Sequence, residues 1–208
     1  MALAYQVWKN DPREAAFARR CLRAARDVYA LGRAREGVQQ GNSYGAPYRY
    51  HENTWADDME WGAAELHRAT GEASFLADAR RYARIIGATS WMGRDTALHY
   101  EFYPFMNAGH FRLGSGASYY RAGLEAAAAV GRRRPWPIGV PFIWCSNNLV
   151  VALATQGAMY ERMTGVRTFR AFTARQRDWL FGTNPWARRC SPASAPSRRR
   201  TSISRRSA

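Results

Sequence analysis

Two neighbouring carboxylates, Asp57 and Asp58, follow Asn53 and Thr54 at the head of an apolar, helix-forming run. Such a group does one of two things. It caps the helix and complements the positive end of its dipole, for which one acid is enough. Alternatively, its oxygens and nearby carbonyls gather a calcium ion, which takes roughly six to eight hard oxygen ligands. The pair is no acid–base couple, because adjacent acids do not flank a scissile bond. A second set is aromatic: Tyr48, Trp91 and Trp144 lie on or beside stretches rich in turn residues. A flat ring on a loop stacks on the apolar face of a sugar ring; otherwise it is buried in packing between elements. Asn148 follows Trp144 by four residues, the spacing that puts two side chains on one helix face, with an amide able to bond hydroxyls. His51, His67, His99 and His110 have no metal-ligand spacing and read as structural hydrogen-bonding groups. Cys21, Cys145 and Cys190 form no CxxC pair or zinc pattern; the first two read as small core residues.

The elements that must hold these residues are helical. In DPREAAFARRCLRAARDVYALGR, Asp11 is placed to cap, Pro12 suits the first helical position and Glu14 completes a capping box. Ala16, Phe17, Cys21, Ala24, Ala25, Val28 and Tyr29 recur at three- and four-residue steps as one apolar stripe. A Gly-, Asn- and Tyr-rich loop spans about 37–54. Helical periodicity then covers about 55–70, breaks at Gly71 and resumes over 75–86. The same unit returns as a helix over about 147–163, a break at Gly165 and a helix over 169–181. The two breaks read RATGEASF and RMTGVRTF, each with a Phe at the first turn of the second helix. Between the units, 107–130 predicts one or two helices broken near Gly114–Gly116, followed by GRRRPWPIGVPF, whose prolines forbid regular helix. A repeated helical hairpin predicts an all-α array or a closed toroid of helix pairs, with six to seven helices here.

Composition narrows the classes. A 47% hydrophobic chain is not disordered, and no apolar stretch is long enough to span a bilayer, so no membrane partner is expected. A formal charge of +15 would suit nucleic acid. However, Lys9 is the only lysine, an Arg bias that G·C-rich codons produce whatever the function. Seven of the arginines lie after Ala187 with no acid among them. No nucleic-acid partner is therefore expected, and a basic binder stays only the least favoured alternative. The opening MALAYQVWKN shows no basic segment followed by an apolar run, so no signal peptide is visible in it.

Four segments, in order, resemble glycoside hydrolase family 9, the cellulase family: YHENTWADDMEWGAAELHRATGEASFL (50–76), HYEFYPFMNAGH (99–110), GVPFIWCSNNLVVALA (139–154) and RDWLFGTNPW (177–186). The resemblance implies that 1–186 is part of an (α/α)6 toroid of helix hairpins, an incomplete one. It implies an exported parent that cuts β-1,4-glucans internally with inversion at the anomeric carbon. It also implies a calcium site at Asn53, Thr54, Asp57 and Asp58, completed by Asp95. Trp91, Trp144 and, less closely, Tyr48 match substrate-platform positions, and Asn148 stands where many relatives carry a charge. Inversion needs two carboxyls with room for a water between them. The family's base lies in an Asp-Ala-Gly-Asp stretch and its acid is a Glu near the domain's end; the sequence contains neither motif. The expectation is thus an enzyme fragment that is inactive alone and recognises a β-1,4-glucan or cello-oligosaccharide, the alternative being a non-catalytic glycan-binding helical module.

The tail at 187–208 departs from the family. After Trp186 the pattern expects GTSMFTGVG, whereas the chain reads ARRCSPASA. One extra G after a TGG codon for Trp186 restores GTSMFTGVG with compatible codons throughout. Residues 187–208 are accordingly expected to be a basic Arg/Ser-rich tail, out-of-frame or disordered, the alternative to a frameshift being a natural basic low-complexity tail.

Overall fold

Eight α-helices make up the ordered elements of the computed structural model, which describes residues 1–37, 55–87, 107–142 and 146–188. They are α1 (Ala2–Trp8), α2 (Ala15–Ala34), α3 (Ala56–Thr70), α4 (Ala73–Ile86), α5 (Ala108–Leu113), α6 (Ala117–Arg132), α7 (Ser146–Thr164) and α8 (Arg170–Leu180). No strand occurs among the described residues, and no helix there is long and apolar enough to cross a membrane. The helices pair in chain order, α1 with α2, α3 with α4 and α7 with α8, while α3 also meets α1, α2 and α5.

The two Thr-Gly breaks form the same turn. Gly71 and Gly165 close α3 and α7 in the left-handed conformation, at φ of 77° and 73°. The hydroxyls of Thr70 and Thr164 donate back to the carbonyls of Leu66 and Tyr160, at 2.9 and 2.8 Å. Each hydroxyl also accepts the N–H of the residue after the glycine. A left-handed residue with no Cβ to clash ends the helix and releases the chain into the next one. The phenylalanines after the breaks do different work. Phe75 packs edge-on against Tyr29 of α2, whereas Phe169 packs on Tyr160 of its own hairpin.

Two apolar cores result. One joins α1–α4 around Tyr29, Ala63, Leu66 and Tyr82; the other joins α6–α8 around Tyr120, Leu124, Leu153 and Trp179. Ile86 packs against both. The short α5 links them with buried polar bonds: His110 to Glu60 of α3 at 2.6 Å, and Asn107, at its head, to Gln156 of α7 at 3.0 Å. The proline-rich connection is non-helical, as its sequence predicts, and is pinned from α8. The buried Gln176 accepts the Gly139 N–H at 3.0 Å and donates to the Pro137 carbonyl at 2.7 Å.

The structure corrects the first helix in two ways. It starts at Ala15, not at Asp11, and Glu14 makes no side-chain cap. The Asp11 carboxylate instead binds the backbone and guanidinium of Arg13, closing a turn ahead of the helix. A short polar side chain that can bond two residues on competes with capping. The predicted stripe is also half uncovered: Tyr29 is buried, but Ala16, Phe17 and Val28 are exposed, and so is Leu31. Helix α1, not anticipated from the sequence, adds exposed Leu3, Val7 and Trp8 to this side.

Candidate functional site

Asp57 and Asp58 occupy the first turn of α3, where their charge opposes the positive helix end. Trp55 is the N-cap residue and supplies no side-chain cap, so the acids, not a capping hydroxyl, serve this helix end. Asp57 is half-buried, with Oδ1 enclosed. Asp58 is exposed at the edge of an apolar cleft of about 470 Å³ that Leu3, Val28 and Met59 also line, and partial desolvation there pushes its carboxyl above the usual range. Two adjacent carboxylates held at one helix start suit a hard cation. Among the described residues no group of three or more His, Cys, Asp or Glu side chains could by itself hold a metal. Asn53, Thr54 and Asp95, the other expected ligands, lie outside the described residues, as do Tyr48, Trp91 and Trp144.

Asn148 is exposed in the first turn of α7, free of the core that Leu149 and Val150 enter. An exposed amide at a helix start can offer donors and an acceptor to a ligand hydroxyl. His67, predicted to be structural, donates from Nδ1 to the Glu72 carbonyl at 2.9 Å across the first Thr-Gly turn, so Nδ1 carries the proton. Cys21 is half-buried and unpaired.

The buried acids of α3 were not anticipated. Glu60 and His110 are both fully buried. Nε2 of His110 faces the Gly87 carbonyl at 3.2 Å and must donate to it. The 2.6 Å contact between Nδ1 and Glu60 then needs a further proton, on the acid or on the ring. Burial raises the Glu60 carboxyl more than the neighbouring imidazole lowers it. Close approach requires glycine at two places: a Cβ on Gly109 would lie 2.7 Å from the Glu60 carboxyl carbon, and one on Gly116 would lie 2.3 Å from the His110 Cβ. Glu65 is buried too, and Arg112, Trp61 and Gln6 surround its carboxylate. The legible signal was an acid at the fourth step of an alanine stripe, Ala56–Glu60–Ala63–Ala64, which demands a partner.

Helix hairpins packed in chain order around a buried polar centre define an all-α, helical-hairpin protein. The family model for glycosyl hydrolase family 9 matches residues 1–189, and the chain belongs to that family. Endoglucanase C of Cellulomonas fimi is 28% identical over 188 residues, covering 84% of this chain and 17% of the relative. Endoglucanase 18 of Arabidopsis thaliana is 24% identical over 196 residues, covering 83% of this chain and 40% of the relative. Among solved structures, the cellulase Cel9M of C. cellulolyticum superposes with a TM-score of 0.67 at 22% identity, over 90% of this chain and 43% of that one. The same cellulase in complex with cellobiose gives 0.62. The fold is an incomplete (α/α)6 toroid, and the chain spans less than half the length of these relatives.

Proposed function

We propose that this chain is the glucan-binding part of an inverting endo-β-1,4-glucanase and does not cleave by itself. The family match across residues 1–189 carries this reading. The two carboxyls that inversion requires, with a water between them, have no counterpart motif in residues 1–208. Asn148, with Trp144, Trp91 and Tyr48, would contact the sugar. Calcium would be held by Asp57 and Asp58 with Asn53, Thr54 and Asp95. It would secure the start of α3 to the preceding loop and take no part in the reaction.

Calorimetric titration of the purified chain with cello-oligosaccharides, alongside a reducing-sugar assay on soluble cellulose, tests the main claim. Binding without release of reducing ends is expected. Release of sugar would overturn the inactive reading, and absence of binding would overturn the glucan reading. For calcium, the expected result is a Tm that rises with added CaCl2, by about 2.7 kcal/mol of stabilisation at a hundredfold excess over Kd. Asp58→Asn should remove that rise, and a Tm indifferent to calcium would refute the site.

A further inference from the structure

A cluster of aromatic rings stands where α8 ends and the chain enters α7. Trp136 and Phe142 come from the proline-rich connection, and Trp186 follows the Asn-Pro turn after α8. All three are exposed, at 40%, 67% and 54%. Beneath them Trp179, 4% exposed, packs edge-on against Phe142 at 6.5 Å and against Trp186 at 6.1 Å. Phe142 and Trp186 stack on each other at 5.7 Å and remain largely in solvent. With Pro135, Ile138 and Pro185 they line a cleft of about 270 Å³.

We propose that Trp136, Phe142 and Trp186 form a second platform that binds a pyranose ring of a β-1,4-glucan; this rests on the glucan reading above. Two features select that ligand. Three exposed aromatic rings share the lining of one cleft, whereas the α1–α2 side mixes Phe17 and Trp8 with the aliphatic Leu3, Val7, Val28 and Leu31. An equatorially substituted pyranose presents C–H groups that fit the negative face of a ring. Finally, the indole N–H of Trp179 is buried with no acceptor, a donor that a sugar hydroxyl is chemically suited to satisfy.

The rings are also held ready. Gln176 pins the first loop from within the core, and Asn184, 3% exposed, pins the second by donating to the carbonyls of Trp179 and Arg188 at 2.7 Å. Buried amides that fix exposed rings lower the ordering cost of binding.

Titration calorimetry with cellohexaose is the test, on the full chain and on Trp136→Ala, Phe142→Ala and Trp186→Ala, with the remote Trp8→Ala and with Asn148→Ala. Each platform variant should bind about tenfold more weakly, with an unchanged far-ultraviolet spectrum, while Trp8→Ala binds normally. Full affinity in Phe142→Ala and Trp186→Ala together with loss in Asn148→Ala would overturn the platform alone. Failure of the unsubstituted chain to bind would overturn the glucan reading and the platform with it. A dimer in sedimentation that Trp186→Ala dissociates would make the patch a contact between copies and overturn the proposal.

Discussion

Ala187 is the non-glycine residue that the described chain holds at positive φ, +48°. Alanine there costs on the order of 1 kcal/mol against glycine. The turn around it is otherwise well made: the Asn184 amide oxygen accepts the Trp186 N–H at 3.1 Å, and Gly182 takes the other left-handed position at +115°. Glycine is the residue that the restored reading frame places at 187. Ala187→Gly should therefore stabilise the protein by about 1 kcal/mol in urea melts, and an intact reading frame on resequencing would dispose of the frame explanation. Glu36 illustrates a charge whose value depends on pH. Hydrogen bonds from Arg81 and from the Tyr82 hydroxyl hold its carboxyl down at about 2, against an ordinary 4.5. A depressed acid contributes stability that is complete above the unfolded value and disappears as pH falls through the folded one. Acid melts of Glu36→Gln should thus lose part of their dependence between about pH 4.5 and 2, and a profile identical to the parent's would remove Glu36 from the account.

At the scale of elements, the six-residue α5 carries more than its length implies. It places His110 against Glu60 of α3 and the Gly87 carbonyl at the end of α4, and Tyr120 of α6 donates to the carbonyl of Asn107 at its head. Breaking a buried pair by removing one partner typically costs about 3–5 kcal/mol, so His110→Ala should fall in that range. Glu60→Gln should cost much less, because the amide N–H can still donate to Nδ1 once the ring is neutral. Equal losses in chemical denaturation would contradict a donor at residue 60 that Nδ1 can accept. The raised Glu60 carboxyl sets the pH sign: its contribution is complete below the unfolded value and fades as pH rises through the folded one. The helices themselves were readable because glycine and proline punctuate them; the predicted spans over 55–70 and 147–163 differ from α3 and α7 by a residue at each end or less. The start of α2 was misread because Asp11 found a nearer partner in Arg13.

Across the whole molecule, the covered and uncovered faces follow from which hairpins are present. The α6–α8 half buries Leu124, Leu149 and Leu153 but leaves Phe142, Phe181 and Trp186 exposed. The α1–α2 side leaves Phe17, Val28, Leu31, Val7 and Trp8 in solvent. An exposed apolar area of this kind binds hydrophobic dyes and promotes association. Leu31→Glu, at a side chain 71% exposed, should reduce dye binding and aggregation with little loss of stability. A large drop in Tm would show that the face is packed in solution.

The amino-acid pattern alone determined that the chain is helical, where its hairpins turn and to which family it is similar, because periodicity, Thr-Gly stops and ordered motifs are local properties. Partners across the molecule are not local. That Glu60 meets His110, that Gln176 anchors a loop from another hairpin and that Trp136, Phe142 and Trp186 gather over Trp179 depend on how helices cross. Only the tertiary structure decided those, since a buried polar group states that it needs a partner but not which residue will supply it.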